Sequence, residues 1–326
     1  MIEEQTLFIL GAGASNCFGY PTGYKLNDNL INELSSFDEV FFSNKNGFYY
    51  DGEHFYDNSN LLRFSKIYND SHPTLVDYFL AKNPDPLIKK IGIYGIALSL
   101  INAEIIHSNK TSYSFNGDDW FSVLFNRMTS DILDVNAIER FKLNKCSFIT
   151  FNYDRLLEQL FYEALTSNYG IIYTDVKNLM SEIKIIHTFG RLPLLLYEKS
   201  DSDQDSFQYG KEPTNLFIEK TLKNIITIHE RKNNIEEIDN LIMNAQRIFI
   251  LGFGFAEENM GLLNFKKNFT SPKDVNVTTI GISQKKRDHI KGKYFPEFKT
   301  IEGHSRFMGI INMQETSCKR LLEDYL

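Results

Sequence analysis

The chain has 326 residues, 42% of them hydrophobic and 24% charged, with a formal net charge of −7. That length and balance suit a globular protein with a sizeable core in one large or two ordinary domains, and the acidic balance argues against direct nucleic-acid binding, which needs a basic face. Three cysteines, Cys17, Cys146 and Cys318, form no Cys-x-x-Cys pair. This excludes a disulfide scaffold and a four-cysteine zinc site.

The acidic start Met1-Ile2-Glu3-Glu4-Gln5 runs straight into a strand, unlike a secretory signal. No apolar run approaches the ~20 residues of a membrane span. A cytoplasmic protein with no membrane partner is expected. Thr6-Leu7-Phe8-Ile9-Leu10 is a short apolar run closed by Gly11-Ala12-Gly13-Ala14-Ser15, the pattern of a buried parallel strand ending in a glycine turn. Residues 22–140 then read as mainly helical. Helical spacing covers Tyr24 to Leu34 and Thr74 to Leu80, with Pro73 at the first turn, and helix-like patterns cover 86–107 and 118–134. Ser43 to Asn60 reads as a loop. Strands return at Cys146–Phe151 and Ile183–His187, with Gly170–Tyr173 strand-like and a helix over Arg155–Leu165 between. Ser200–Gly210 is a polar loop.

The last third alternates. Helices are expected over Ile235–Ala245, from about Glu257, over Gln284–Lys293 and over Met313–Leu326. Strands are expected over Arg247–Leu251, Val275–Ile282 and Phe298–Ile301. The basic run Lys285-Lys286-Arg287, with Lys291 and Lys293, fits a solvated helix face. Alternation of this kind predicts an α/β fold: a doubly wound, Rossmann-like parallel sheet with a mainly helical insertion after the first strand. One domain spans 1–326, its sheet parts at about 1–21 and 141–326 and its insertion at about 22–140.

Ligands of such sheets bind at the carboxyl ends of the strands, and four strand ends carry unusual residues. Gly11-Ala12-Gly13-Ala14-Ser15 allows backbone N–H groups to approach a pyrophosphate, or it is simply a tight turn. Asn16 stands where a dehydrogenase fingerprint has its third glycine, which points away from hydride transfer. Thr150-Phe151-Asn152-Tyr153-Asp154 brings two polar side chains to a helix start; Asp154 suits a helix cap and Asn152 a turn, and both also suit a site. His187 closes its strand, as a structural histidine or as a proton carrier. Gly252-Phe253-Gly254-Phe255, with Asn259 beyond, repeats the first turn in the other half of the sheet. Two such turns beside a polar crevice meet the needs of a dinucleotide.

The order of these motifs resembles the sirtuins. Gly11-Ala12-Gly13 and Gly19-Tyr20-Pro21 resemble the opening elements, Thr150-Phe151-Asn152-Tyr153-Asp154 the Thr-Gln-Asn-Ile-Asp motif, His187 and Gly190 the His-Gly pair, and Gly252-Phe253-Gly254-Phe255 the late ribose-binding turn. The aromatic variants look most like the zinc-free bacterial sirtuin-like NADases of antiphage defence. Two departures stand out: Thr22-Gly23 replaces the Phe-Arg that follows Gly-x-Pro, and Thr188-Phe189 separates His187 from Gly190, so that a direct alignment puts Phe189 at the family's histidine. The resemblance implies an NAD⁺ glycohydrolase that releases nicotinamide and ADP-ribose and depletes NAD⁺ during infection, with no metal. It implies Asn152 and His187 as catalytic. It implies Gly11, Ala12, Gly13, Ala14, Ser15, Pro21, Thr150, Asp154, Gly252, Phe253, Gly254 and Asn259 as NAD⁺-binding. It also implies a homo-oligomer, with the helical module and the C-terminal helix as assembly surfaces, and a separately encoded sensor of the ATPase or Argonaute type. The alternatives are a sensor or partner subunit that binds NAD⁺ or ADP-ribose without cleaving it and, third, a zinc-free NAD-dependent protein deacylase.

Overall fold

The first strand forms because five consecutive residues, Thr6 to Leu10, are all buried, and only a strand covered on both faces accepts such a run. In the computed structural model of the chain, which describes residues 1–41, 48–50, 53–109, 117–199, 206–226, 234–296, 300–301, 304–305 and 309–326, that strand is the centre of a sheet. The six strands are β1 (Thr6–Leu10), β2 (Cys146–Thr150), β3 (Lys184–His187), β4 (Arg247–Leu251), β5 (Lys273–Thr278) and β6 (Gly309–Gln314). All pair in parallel, in the spatial order 3-2-1-4-5-6. Helices cover both faces, so the α/β, Rossmann-like expectation holds. This strand order is that of the dinucleotide-binding fold, and its direction reverses between β1 and β4.

Register brings the strand ends together. Leu10 lies opposite both Thr150 and Leu251, and Thr150 lies opposite His187. The residues that follow therefore emerge along one edge. Phe8 stacks on Phe148 and Phe249, with ring centroids 5.1 and 5.4 Å apart, at the registered positions of the neighbouring strands. Cross-strand aromatic pairs of this kind fix the register of a buried sheet.

Between β1 and β2 lie α1 (Ala12–Asn16), α2 (Gly23–Phe41), α3 (Asn58–Asp70), α4 (Val76–Lys82), α5 (Pro86–Ser108) and α6 (Trp120–Met128). Asp85 caps α5 and Pro86 opens it. This helix is apolar on all sides because α2, α3, α4 and α9 (Asn215–Asn224) pack around it. The expectation that no apolar run reaches membrane length needs correction. By length and composition α5 is such a helix, and 78% of its most apolar window is buried inside the protein. Its Glu104 forms a two-pronged ion pair with Arg155, at 2.8 and 2.9 Å, and Arg155 is 1% exposed. This pair ties α5 to α7 (Leu156–Tyr169), which follows β2.

Other readings shift. Residues 48–50 and 53–56 within the expected loop pair as an antiparallel ribbon, and residues 42–47 and 51–52 lie outside the described residues. The helix expected from Pro73 begins at Val76, with Leu75 at its N-cap. The helix expected over 118–134 ends at Met128. Gly170 to Tyr173 is not a strand: Gly170 at φ +65° ends α7, and α8 (Tyr173–Met180) starts three residues on. After α10 (Ile235–Asn244), α11 (Glu257–Leu263) and α12 (Phe265–Asn268), β5 begins at Lys273 and stops at Thr278, four residues before Ile282. Thr300–Ile301 pairs with His304–Ser305 outside the main sheet, and 297–299 lie outside the described residues. After α13 (Gln284–Tyr294), Gly309–Gln314 is the edge strand β6, so α14 spans only Cys318–Tyr325. Its apolar face, Cys318, Leu321 and Leu322, is buried against α6 and β5, so this face serves the fold and is closed to a partner.

Candidate functional site

The two glycine turns meet at the point where the strand order reverses. Gly11 N–H donates to Leu251 O at 3.0 Å, Gly13 N–H to Gly252 O at 2.9 Å, and Gly252 N–H to Thr278 Oγ1 at 2.8 Å. The backbones touch. A Cβ on Gly13 would lie 2.7 Å from Gly252 Cα, and one on Gly252, whose φ is +58°, would lie 2.0 Å from Ala14 N. Turn-to-turn packing therefore explains Gly13 and Gly252 without a ligand. Gly254 differs, since a Cβ there meets nothing within 4 Å. Trp120 holds the first turn from behind by donating Nε1–H to Ala14 O at 2.8 Å.

Above the turns opens a cavity of about 590 Å³, within the roughly 300–1,000 Å³ usual for ligand sites. Gly11, Ala12, Gly13, Asn152, Gly252, Phe253, Gly254 and Asn259 all line it. One wall is aromatic: Phe253 packs edge-on against Phe151 and Phe255, at 4.9 and 5.4 Å between centroids. Residues 22–24, Leu75 and Asp77 add a wall from the helical segment.

Ser15, Thr150, Asp154 and His187 stand elsewhere. They line a separate small cleft of about 10 Å³, and Asn152 borders both. Ala14 and Pro21 line neither space. Asn152 is more deeply built in than a free turn residue. It is 9% exposed, and its Nδ2 donates to Gly11 O at 3.2 Å and Ser15 Oγ at 3.0 Å. A carbonyl can only accept, so the amide nitrogen faces Gly11 and the orientation of the carboxamide is determined. Its Oδ1 takes no hydrogen bond from the described residues.

The network continues inward. Ser15 Oγ donates to Asp154 Oδ2 at 2.9 Å, while Leu156 N–H donates to Asp154 Oδ1 at 3.1 Å. Asp154 thus caps the start of α7 and anchors Asn152 through Ser15. Burial pushes its carboxyl up to about 6, against the hydrogen bonds from Leu156 and Ser15.

His187 ends β3, but both its ring nitrogens have partners. Nδ1 lies 3.2 Å from Asn152 O, and Nε2 lies 2.7 Å from Glu158 Oε1. Glu158 also holds Arg191 at 2.8 Å, and Arg191 reaches Glu198 at 2.6 Å. Burial alone would raise the Glu158 carboxyl, but His187 and Arg191 outweigh it and hold it at about 2. Asn152 O and the Glu158 carboxylate are both acceptors, so both contacts are hydrogen bonds together only when both ring nitrogens carry protons. The histidine thus braces the Asn152 backbone and presents no base to the cavity.

Three residues were not singled out by the sequence. Glu158 lies one helical turn after Asp154, a visible i, i+4 pairing of acids. Asp77 interrupts an apolar helix start, Leu75-Val76-Asp77-Tyr78-Phe79. Trp120 left no signal beyond being the single tryptophan. No protein-family model and no curated protein matches the chain.

Proposed function

We propose that this protein is an NAD⁺ glycohydrolase of the sirtuin-like kind, whose activity depletes NAD⁺ during phage infection. One observation carries the reading. Asn152 presents a carboxamide at the edge of a switch-point cavity, its nitrogen pinned and its oxygen open. An oxygen held in that way can orient a ribose hydroxyl or a water molecule against the glycosidic carbon, and such positioning is what an oxocarbenium-like reaction requires. The chemistry balances: water adds its oxygen to the ribose, the C–N bond breaks toward the pyridinium, and nicotinamide leaves neutral with one proton released. The aromatic wall of Phe151 and Phe253 suits a flat ring, and the open side of Gly254 suits close backbone approach to a phosphate or sugar.

The test is nicotinamide release from NAD⁺ by the purified chain. Asn152→Ala should lower turnover by about 10²–10³-fold. Because Asn152 also ties Gly11 to Ser15, its removal should cost about 1–3 kcal/mol of stability, and the variant's folding is checked in parallel. Wild-type turnover in a folded variant rejects the assignment. The second reading, binding without cleavage, draws on His187, whose ring is committed to Asn152 O and Glu158. Calorimetric binding with NAD⁺ recovered intact would select it.

A further inference from the structure

The hydrolase reading leaves the cavity in need of a proton acceptor, because His187 stands outside it with both ring nitrogens engaged. Among the described residues, two carboxylates line the cavity, Asp77 and Asp118. Asp118 sits on the side of α14, where its Oδ1 accepts the Lys319 N–H at 2.7 Å. Asp77 sits over the end of β2. Its Oδ1 accepts the hydroxyl of Tyr153 at 2.6 Å, and Tyr153 directly follows Asn152 in the chain. One dipeptide thus sends Asn152 back toward the glycine turn and Tyr153 outward to the helical segment. The second carboxylate oxygen of Asp77 has no hydrogen-bond partner among the described residues and is not sealed from solvent.

Helix α4 is held at both sides of the crevice. Asp77 binds Tyr153 on the β2 side, and Tyr78 donates its hydroxyl to Glu258 of α11 on the β4 side. A helix fastened to both halves of the sheet keeps its carboxylate in place without help from a ligand.

We propose that Asp77 is a catalytic residue of this cavity, the general base that takes the proton from the attacking water. The proposal rests on the glycohydrolase reading. In the step, the water oxygen bonds to the anomeric carbon of the nicotinamide ribose and one of its protons passes to the free oxygen of Asp77. The C–N bond breaks with its electron pair going to the pyridinium nitrogen. Tyr153 is a positioning residue that fixes the other oxygen. Burial raises the Asp77 carboxyl above the usual range, opposed by the Tyr153 hydroxyl, in the direction that makes a carboxylate a better proton acceptor.

The experiment measures kcat and KM for nicotinamide release, together with calorimetric ADP-ribose binding and melting. It uses the full chain as wild type, Asp77→Asn, Asp77→Glu, Tyr153→Phe and the Asp77→Asn/Tyr153→Phe double variant. Asp77→Asn keeps an acceptor for Tyr153 and should lower kcat by about 10²–10⁴-fold, the usual contribution of a general base, with KM and ADP-ribose binding near wild type. Asp77→Glu should recover part of kcat. Tyr153→Phe should cost less than Asp77→Asn and add nothing in the Asp77→Asn background, since it acts only through that carboxylate. A wild type that turns over NAD⁺ beside an equally fast Asp77→Asn overturns the assignment of Asp77 alone. Parallel loss of ADP-ribose binding and activity in Asp77→Asn, or an additive Tyr153→Phe effect, also overturns it. A wild type that binds ADP-ribose but releases no nicotinamide overturns the glycohydrolase reading, and the base with it.

Discussion

Replacing Gly252 by alanine tests how the two halves of the sheet are joined. The residue holds φ +58°, and its Cβ would come 2.0 Å from Ala14 N and 2.3 Å from Gly13 C. Both atoms are backbone, so no side-chain rotation relieves the contact. A left-handed conformation costs an alanine about 1–2 kcal/mol, and overpacking a close-packed site costs about 1–3 kcal/mol. Moving the turns apart also strains the Gly13 N–H to Gly252 O bond, a net loss of about 1 kcal/mol. The destabilisation should therefore be about 3–6 kcal/mol. With an unfolding entropy of roughly 2.1 cal/mol/K per residue, that corresponds to a fall of about 4–9 °C in Tm. Gly254→Ala is the internal control: nothing lies within 4 Å of its Cβ and its φ is not left-handed. It should shift stability by less than about 0.5 kcal/mol. Thermal and urea unfolding of both variants read the difference. A Gly252→Ala protein that melts with wild type would refute the interlocked-turn argument.

Two carboxylates should pull stability in opposite directions with pH. Asp154 is raised by burial from 3.8 to about 6, so the folded state holds its proton more tightly, and stability falls as pH rises from about 4 to about 6. Asp154→Asn, whose single amide oxygen can still accept the Leu156 N–H while its amide nitrogen faces Ser15 Oγ, should abolish that slope in urea titrations; an unchanged slope counts against it. Glu158 is lowered from 4.5 to about 2, since His187 and Arg191 outweigh its burial. Its stabilisation is fully present above about pH 4.5 and is lost as pH falls toward 2, so Glu158→Gln should flatten the acid limb. Arg155→Met leaves Glu104 buried without its cation and should cost about 3–5 kcal/mol in chemical unfolding. Adding Glu104→Met should recover part of that loss, because the penalty lies in the orphaned charge. A single variant costing under about 1 kcal/mol would show that water reaches the pair.

The sheet was legible where strands were short, apolar and closed by glycine, as at Thr6–Leu10 and Arg247–Leu251. It was not legible at Gly309–Gln314. There Ile310 and Ile311 are too short an apolar run to carry a period of their own, and the helix expected from Met313 starts on the last two residues of this edge strand. Gly170–Tyr173 failed for a related reason, since a β-branched pair after a glycine suits a strand or a loop equally. At the site, the four strand-end motifs were visible because glycine, Asn152, Asp154 and His187 are unusual after apolar runs.

What the sequence determined by itself is the alternation of elements, and hence a parallel doubly wound sheet. Burial on both faces leaves only apolar strands, and glycine turns are the means of leaving them. What only the tertiary structure decided is which polar groups share a space. Strand register places Leu10, Thr150 and Leu251 in one row and so brings Asn152 against the first glycine turn. Packing turns His187 toward Glu158 and away from the cavity. Asp77, 75 positions before Asn152 in the chain, reaches the same cavity because Tyr153 and Glu258 hold its helix there. Periodicity reports which face of an element is buried, while the direction of a single polar side chain depends on partners distant in the chain.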